Sequence, residues 1–173
     1  MSGMMNWFRS IKRRRRLALL GALASLLVAG TAAAAIDMFL QVTGIPGESL
    51  DKAHANWIHV TAFQLSSSWP VGATEPVIDE IVTTMPIDQS MPPIFKAFAN
   101  GTVIGKVVFE SQVSGTTPQI NKRVQLTNAR VTSIRHRLNS GDDAAQQLVG
   151  WRFTSMQIED IPATGTSVVG NYP

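Results

Sequence analysis

Acid–base, nucleophilic and metal chemistry each need particular side chains within reach of one another. This chain of 173 residues supplies few of them. Its three histidines, His54, His59 and His136, are scattered and lack the close ligand spacing of a zinc site. Cysteine is absent, which removes thiol catalysis, cysteine-bound zinc and disulfides together. There is no G-x-S-x-G elbow, no G-x-x-x-x-G-K loop and no H-E-x-x-H pair. Asp142 and Asp143 are adjacent carboxylates, but they sit in a polar cluster, NSGDD at 139–143, where such residues form solvated turns. The NGT at 100–102 fits a glycosylation sequon, and a helix end accounts for it equally well. Of the four tryptophans, Trp57 and Trp151 are expected in the core rather than in a ligand pocket. No enzyme, cofactor or metal is expected from these residues.

The elements around them are mostly strands. Residues 36–42 form a short apolar run closed by Thr43 and Gly44. Residues 57–65 are rich in aromatic and β-branched side chains, which suit a pleated surface. From 102 to 113 the pattern alternates, with Val103, Val107, Phe109 and Val113 on one face. Residues 122–138 are long for one strand. Val124, Leu126, Ile134 and Leu138 share a face there, interrupted at Asn128, Arg130 and His136, so a bulge near Asn128 is expected. Residues 147–158 form another strand, with Val149, Trp151 and Phe153 together, and the 139–143 turn makes the last two strands a hairpin.

One helix stands out. Ser90 is its expected N-cap, and Pro92 and Pro93 occupy the first turn. Met91, Phe95 and Phe98, with Ile94 beside them, form its apolar stripe; Asn100 and Gly101 close it. Short strands with one inserted helix predict a mainly β fold, an antiparallel β-barrel or sandwich with one flanking α-helix.

The first 35 residues differ from the rest. Arg9 and residues 12–16 are basic, residues 17–30 are apolar, and Ala33, Ala34 and Ala35 follow. That order is expected for a signal peptide cut near Ala35; an uncleaved N-terminal anchor is the alternative. The arginine run admits either the general or the twin-arginine export route. Beyond residue 35 there are nine basic and twelve acidic residues, a net charge of −3. A nucleic-acid partner is therefore not expected, and membrane contact is expected only through an uncleaved N-terminal segment. The remaining 138 residues are one domain, 36–162, with a flexible tail, 163–173.

Two stretches carry a family resemblance. MFLQVTGIPGESLDKAH at 38–54 resembles the opening of Hcp proteins, the tube subunits of type VI secretion systems. The matching positions of its turn are Gly44, Gly47, Glu48, Ser49, Asp51 and His54. DQSMP at 88–92, with the helix through Asn100 and Gly101, is similar to the family's D-x-S-x-P helix ending in A-N-G. LTNARV at 126–131 and Glu159 add a weaker match. The resemblance covers about residues 36–161, in the family's order.

It implies a barrel-like fold of six or more strands with one flanking helix, and hexameric rings that stack into a conduit carrying effectors. The implied partners are copies of the chain, with sheath, spike and effector proteins around them, and no residue is catalytic. Three features depart from the family. The loop after the second strand, SSSWPVGATEP at 66–76, is shorter and stiffened by Pro70 and Pro76; Ser66, Ser67, Ser68, Trp69 and Pro70 are its candidate ring-stacking residues. Pro86 falls where the family has a continuous strand. The export label would deliver the chain to the periplasm or the medium, whereas a tube subunit is assembled in the cytoplasm and expelled. An exported binding or effector-carrier module, or a small-ligand-binding barrel, is the alternative function.

Overall fold

The computed structural model describes residues 35–115, 117–137 and 145–173. The expected signal peptide, Leu138 and the 139–143 turn with Asp142 and Asp143 lie outside the described residues. In chain order the elements are β1 (Ile36–Val42), β2 (Ile58–His59), β3 (Ala62–Ser68), β4 (Val77–Pro86), α1 (Met91–Ala99), β5 (Ile104–Val113), β6 (Gln119–Arg137), β7 (Gln146–Arg152), β8 (Ser155–Asp160) and β9 (Val168–Tyr172).

Every strand pair is antiparallel. The strands run β2-β1-β5-β6-β7-β4-β3 across the sheet, and the β8–β9 hairpin branches from β6. β2 is the first strand of that order and β3 the last, yet only Val60 and Thr61 separate them in the chain. The sheet must therefore curl until its two ends meet, which makes a barrel.

That closure breaks the strand expected at 57–65. The Val60 N–H donates to the Met38 carbonyl, and the Thr61 N–H donates to the Thr84 carbonyl. The backbone changes partner between these residues, so one apolar run becomes β2 and β3. The strand expected at 147–158 also divides, at Phe153 and Thr154, because β7 pairs with the second half of β6 and β8 with the first.

β6 spans both halves, and Asn128 carries the irregularity expected there, with φ at 50°. Buried positions run Val124 and Leu126 before it, then Ala129 and Val131 after it. The inward phase slips by one residue there, but the pairing with β5 runs through Asn128 in register, and the bulge falls instead between Val131 and Ser133, opposite β7. On β5, Ile104 is buried and Val103 is exposed, so the expected inward set loses its first member.

Two strands went unpredicted. β4 is continuous through Pro86, its last residue, so that proline ends the strand rather than interrupting it. In the tail, expected to be flexible, residues 168–172 pair with β8 as β9. β3 extends to Ser68, so Ser66, Ser67 and Ser68 are strand residues and the connecting loop starts at Trp69.

The helix ends as expected and starts differently. The Gly101 N–H donates to Phe98 and the Thr102 N–H to Ala97, a Schellman closure with Gly101 at φ 59°. Ser90 makes no side-chain cap. Its hydroxyl and its N–H both donate to the Asp88 carboxylate, and the Met91 N–H donates to the Asp88 carbonyl. The buried face is Ile94 and Ala97, while Phe95 is 50% and Phe98 38% exposed. The expected Phe95–Phe98 stripe therefore points away from the barrel.

Inside, Leu40, Ile58, Ile81, Val107, Phe109, Val124, Val149 and Trp151 form one core. The Trp151 Nε1–H donates to the Thr83 hydroxyl at 2.9 Å, which satisfies the indole. Trp57, expected in this core, is only half-buried on the outer side of β1.

Candidate functional site

The strand registers place two neighbouring rows across the first half of the sheet. Leu40, Phe109, Val124 and Ile158 lie in one row. Phe39, Glu110, Arg123 and Glu159 lie in the next. Successive side chains on a strand point to opposite faces. The first row enters the core, so the second faces outward. It is nevertheless covered: Phe39 and Glu110 are almost fully buried. The cover is the turn between β1 and β2, and this explains why β5 is buried on both faces.

Each motif residue of that turn has a physical task. Gly44 has φ at 81°, the left-handed region that a side chain disfavours. Gly47 lies so close to β2 that a Cβ there would overlap the Trp57 carbonyl and the Ile58 backbone. The Glu48 carboxylate accepts the Gln89 N–H at 3.0 Å, and the Gln89 side chain donates to the Gly47 carbonyl. These bonds tie the turn to the start of α1. The buried Ser49 hydroxyl accepts the Asp51 N–H at 3.2 Å.

Asp51 and His54 anchor the turn from within. Asp51 Oδ1 accepts the Ala53 N–H at 3.0 Å and the His54 N–H at 2.9 Å, and lies 2.8 Å from His54 Nδ1. Burial raises the Asp51 carboxyl, but hydrogen bonds from the His54 ring and backbone, Gln112 and Ala53 outweigh it and hold the group below the usual carboxylate range. The other ring nitrogen, Nε2, is 2.9 Å from Glu110 Oε2. Phe39 stacks on the ring at 4.2 Å and 3°, and Trp57 meets it edge-on at 4.9 Å.

The chain of charges continues outward. Arg123 Nε donates to Glu110 Oε1 at 2.6 Å and its terminal nitrogen to Glu159 Oε2 at 3.0 Å. The hydrogen bond to Glu110 is the largest cause holding the guanidinium above its ordinary value. Asp51, His54, Glu110, Arg123 and Glu159 thus form one continuous ionic chain from the buried turn to the rim of β8. Each member contacts the next, so the chain pins the turn and leaves no open position for a reacting molecule.

Outside this chain the surface is unusually apolar at several places. Leu50 on the turn is 95% exposed, and Trp69 and Val71 project from the β3–β4 loop. The Trp69 indole N–H donates to the Ala73 carbonyl at 3.2 Å, and Pro70 precedes the bend at Gly72, so the loop is internally braced. Between β3–β4 and β8–β9 lies a cleft of about 670 Å³ with Leu65, Ile78, Phe153, Met156 and Tyr172 among its walls.

A model of one protein family, described as "Type VI secretion system effector, Hcp", matches residues 39–160. The chain belongs to the Hcp family. No curated protein matches it. Among solved structures, Hcp1 from Salmonella typhimurium is 24% identical at a TM-score of 0.70, covering 80% of this chain and 94% of that one. A type VI secretion system effector from Yersinia pestis is 24% identical at a TM-score of 0.69, covering 79% and 98%. Secreted protein Hcp3 from Pseudomonas aeruginosa is 15% identical at 0.63, covering 82% and 99%. These likenesses establish the mainly β barrel with its flanking helix as the Hcp fold.

In this Hcp-family chain the structure brings Gly44, Gly47, Glu48, Ser49, Asp51 and His54 together in one packed turn. Trp69 and Pro70 lie apart from it on the β3–β4 loop. Sequence reasoning missed Glu110, Arg123 and Gln89 as partners of the turn. A carboxylate inside the apolar strand 107–109, directly before Ser111, was the available signal for Glu110, since an ionised group there must have a partner.

Proposed function

We propose that this chain is a tube subunit of a type VI secretion system, closing into hexameric rings that stack into a conduit for effectors. Membership of the Hcp family supports the tube role. The observation that carries the ring is the position of the open strand edges. Among the described residues β3 pairs only with β4, and β9 pairs only with β8, so each has one unpaired side. Unpaired edges invite pairing with another chain. Two different edges on one subunit give a heterologous contact, which closes into a ring when the rotation permits. The exposed Phe95, Phe98, Trp69 and Val71 supply apolar surface for such contacts.

The function is then geometric: a wall that shelters effectors, with sheath and spike proteins as outer partners. Assembly inside the cell and expulsion through the sheath follow from this role. Cleavage near Ala35 would instead send the subunit to the periplasm or medium as an effector carrier. The native mass of residues 36–173 at micromolar concentration tests the ring; a hexamer is expected, and a monomer that persists at high concentration overturns it. The 670 Å³ cleft favours one second reading, a small-ligand barrel. That reading requires a monomer whose melting temperature rises with an apolar ligand.

A further inference from the structure

His54 has no role in a conduit, yet it is the most enclosed titratable side chain of the turn, 1% exposed. Its surroundings are fully specified. On its own turn it faces Asp51, on β5 it faces Glu110, and β1 and the approach to β2 close it in with Phe39 and Trp57. Behind Glu110 stand Arg123 on β6 and Glu159 on β8. Gln112 donates to Asp51 from β5 at 3.4 Å.

Both carboxylates beside the ring act as acceptors. Asp51 Oδ1 already takes two backbone N–H groups, and Glu110 Oε1 takes Arg123. An ionised carboxylate has no proton to give, so each contact at 2.8 and 2.9 Å needs a proton on the ring nitrogen. A neutral imidazole carries only one. In the other contact a lone pair would then face a carboxylate oxygen in a buried site, which is strongly unfavourable. The local charge agrees: three carboxylates and one guanidinium leave two negative charges, and an imidazolium removes one of them.

We propose that His54 is a proton-operated latch: protonated on both ring nitrogens it bridges Asp51 to Glu110 and holds the 43–57 turn closed, and losing a proton releases that turn from β5. The closed turn binds one proton more than the open one. It is therefore closed at lower pH and opens as pH rises. What the latch moves is the exposed Leu50 and the link from Glu48 and Gly47 to Gln89 at the start of α1. The device rests on the subunit's own geometry and is independent of ring formation.

Hydrogen exchange of the full chain, followed by mass spectrometry from about pH 5 to 9 and corrected for chemical exchange, tests it. The Thr43 amide, bonded to the Lys106 carbonyl on β5, and the Gln89 amide, bonded to the Glu48 carboxylate, tie the turn to its neighbours and report its opening. Their opening constant is expected to rise by up to about tenfold per pH unit over the range where the open turn has lost the proton and the closed turn still holds it, while β6 and β7 stay flat. His54→Gln cannot titrate and should abolish the rise. Glu110→Gln removes the charge and turns one of the two acceptor oxygens, which face Arg123 and His54, into an N–H2 donor, so it should weaken the closed turn's hold on the proton and end the rise at lower pH; this variant carries the test if His54→Gln does not fold. A turn whose opening ignores pH, a His54→Gln chain with an unchanged rise, or a Glu110→Gln chain with the wild-type midpoint would each overturn the latch.

Discussion

Glu110 and Arg123 stand directly opposite each other on β5 and β6, with Arg123 Nε 2.6 Å from Glu110 Oε1. The pair joins two sets of structure: Glu110 holds the turn through His54, and Arg123 holds β8 through Glu159. Removing Arg123 leaves the buried Glu110 with His54 as its remaining partner and frees Glu159 from the chain. Arg123→Met is expected to lower stability by about 2–4 kcal/mol. Glu159→Gln leaves Arg123 paired to Glu110 and is expected to cost under about 1 kcal/mol. Urea unfolding of both variants at neutral pH measures the difference, and equal costs would refute the chain of charges.

Gly47 and Gly105 make a matched pair of probes. A methyl group at Gly47 meets backbone, whereas at Gly105 it meets open space. Gly47→Ala should destabilise by about 2–3 kcal/mol through forced displacement of the turn. Gly105→Ala on β5 should be neutral or stabilising by up to about 1 kcal/mol. Thermal unfolding of the two variants decides it.

The helix offers a division between stability and assembly. Ile94→Ala removes a fully buried side chain and should cost about 2–4 kcal/mol. Replacing Phe95 and Phe98 together with Ser should cost the isolated subunit under about 1 kcal/mol, because both are already largely in water. If the helix face lies in a ring contact, the same double variant lowers the native mass. Native mass spectrometry beside urea titration separates the two effects.

Acid should act through Asp51. Its folded value lies below the ordinary aspartate value of about 3.9, so its contribution is fully present above that value. It is lost as pH falls through the folded value. Asp51→Asn should be less stable at neutral pH and show a shallower loss between pH 4 and 2, by about one proton's slope. Parallel acid limbs in the two proteins would show that other carboxylates govern the acid response.

Much of the fold was legible because it rests on local pattern. The apolar run at 36–42, the alternation within 102–113, the first half of 147–158, the bend at Asn128 and the Gly101 helix end each have a short-range cause. What was not legible depends on partners remote in sequence. Residues 57–65 look like one strand, and only the meeting of the sheet's two ends divides them. The i, i+4, i+7 spacing of Met91, Phe95 and Phe98 predicts the apolar stripe with Ile94 at its side, whereas the barrel takes Ile94 and Ala97. β9, VVGNY, is short and follows a run of Thr, Gly and Ser, so it does not announce itself, and it pairs along the edge of β8. The motif turn was found from its residues, but its anchors were not, since Glu110 lies 56 positions from His54.

β6 is the one strand that serves both halves of the barrel, gripping β5 and β8 before Asn128 and β7 after it. It works as a tendon. Tension applied to the turn side passes along a single covalent backbone to the side that carries β4 and β3, without crossing a hydrogen-bonded seam. A cut between residues 127 and 128 would remove that path and shift the load onto the other crossings, such as the bends at Val60–Thr61 and Phe153–Thr154.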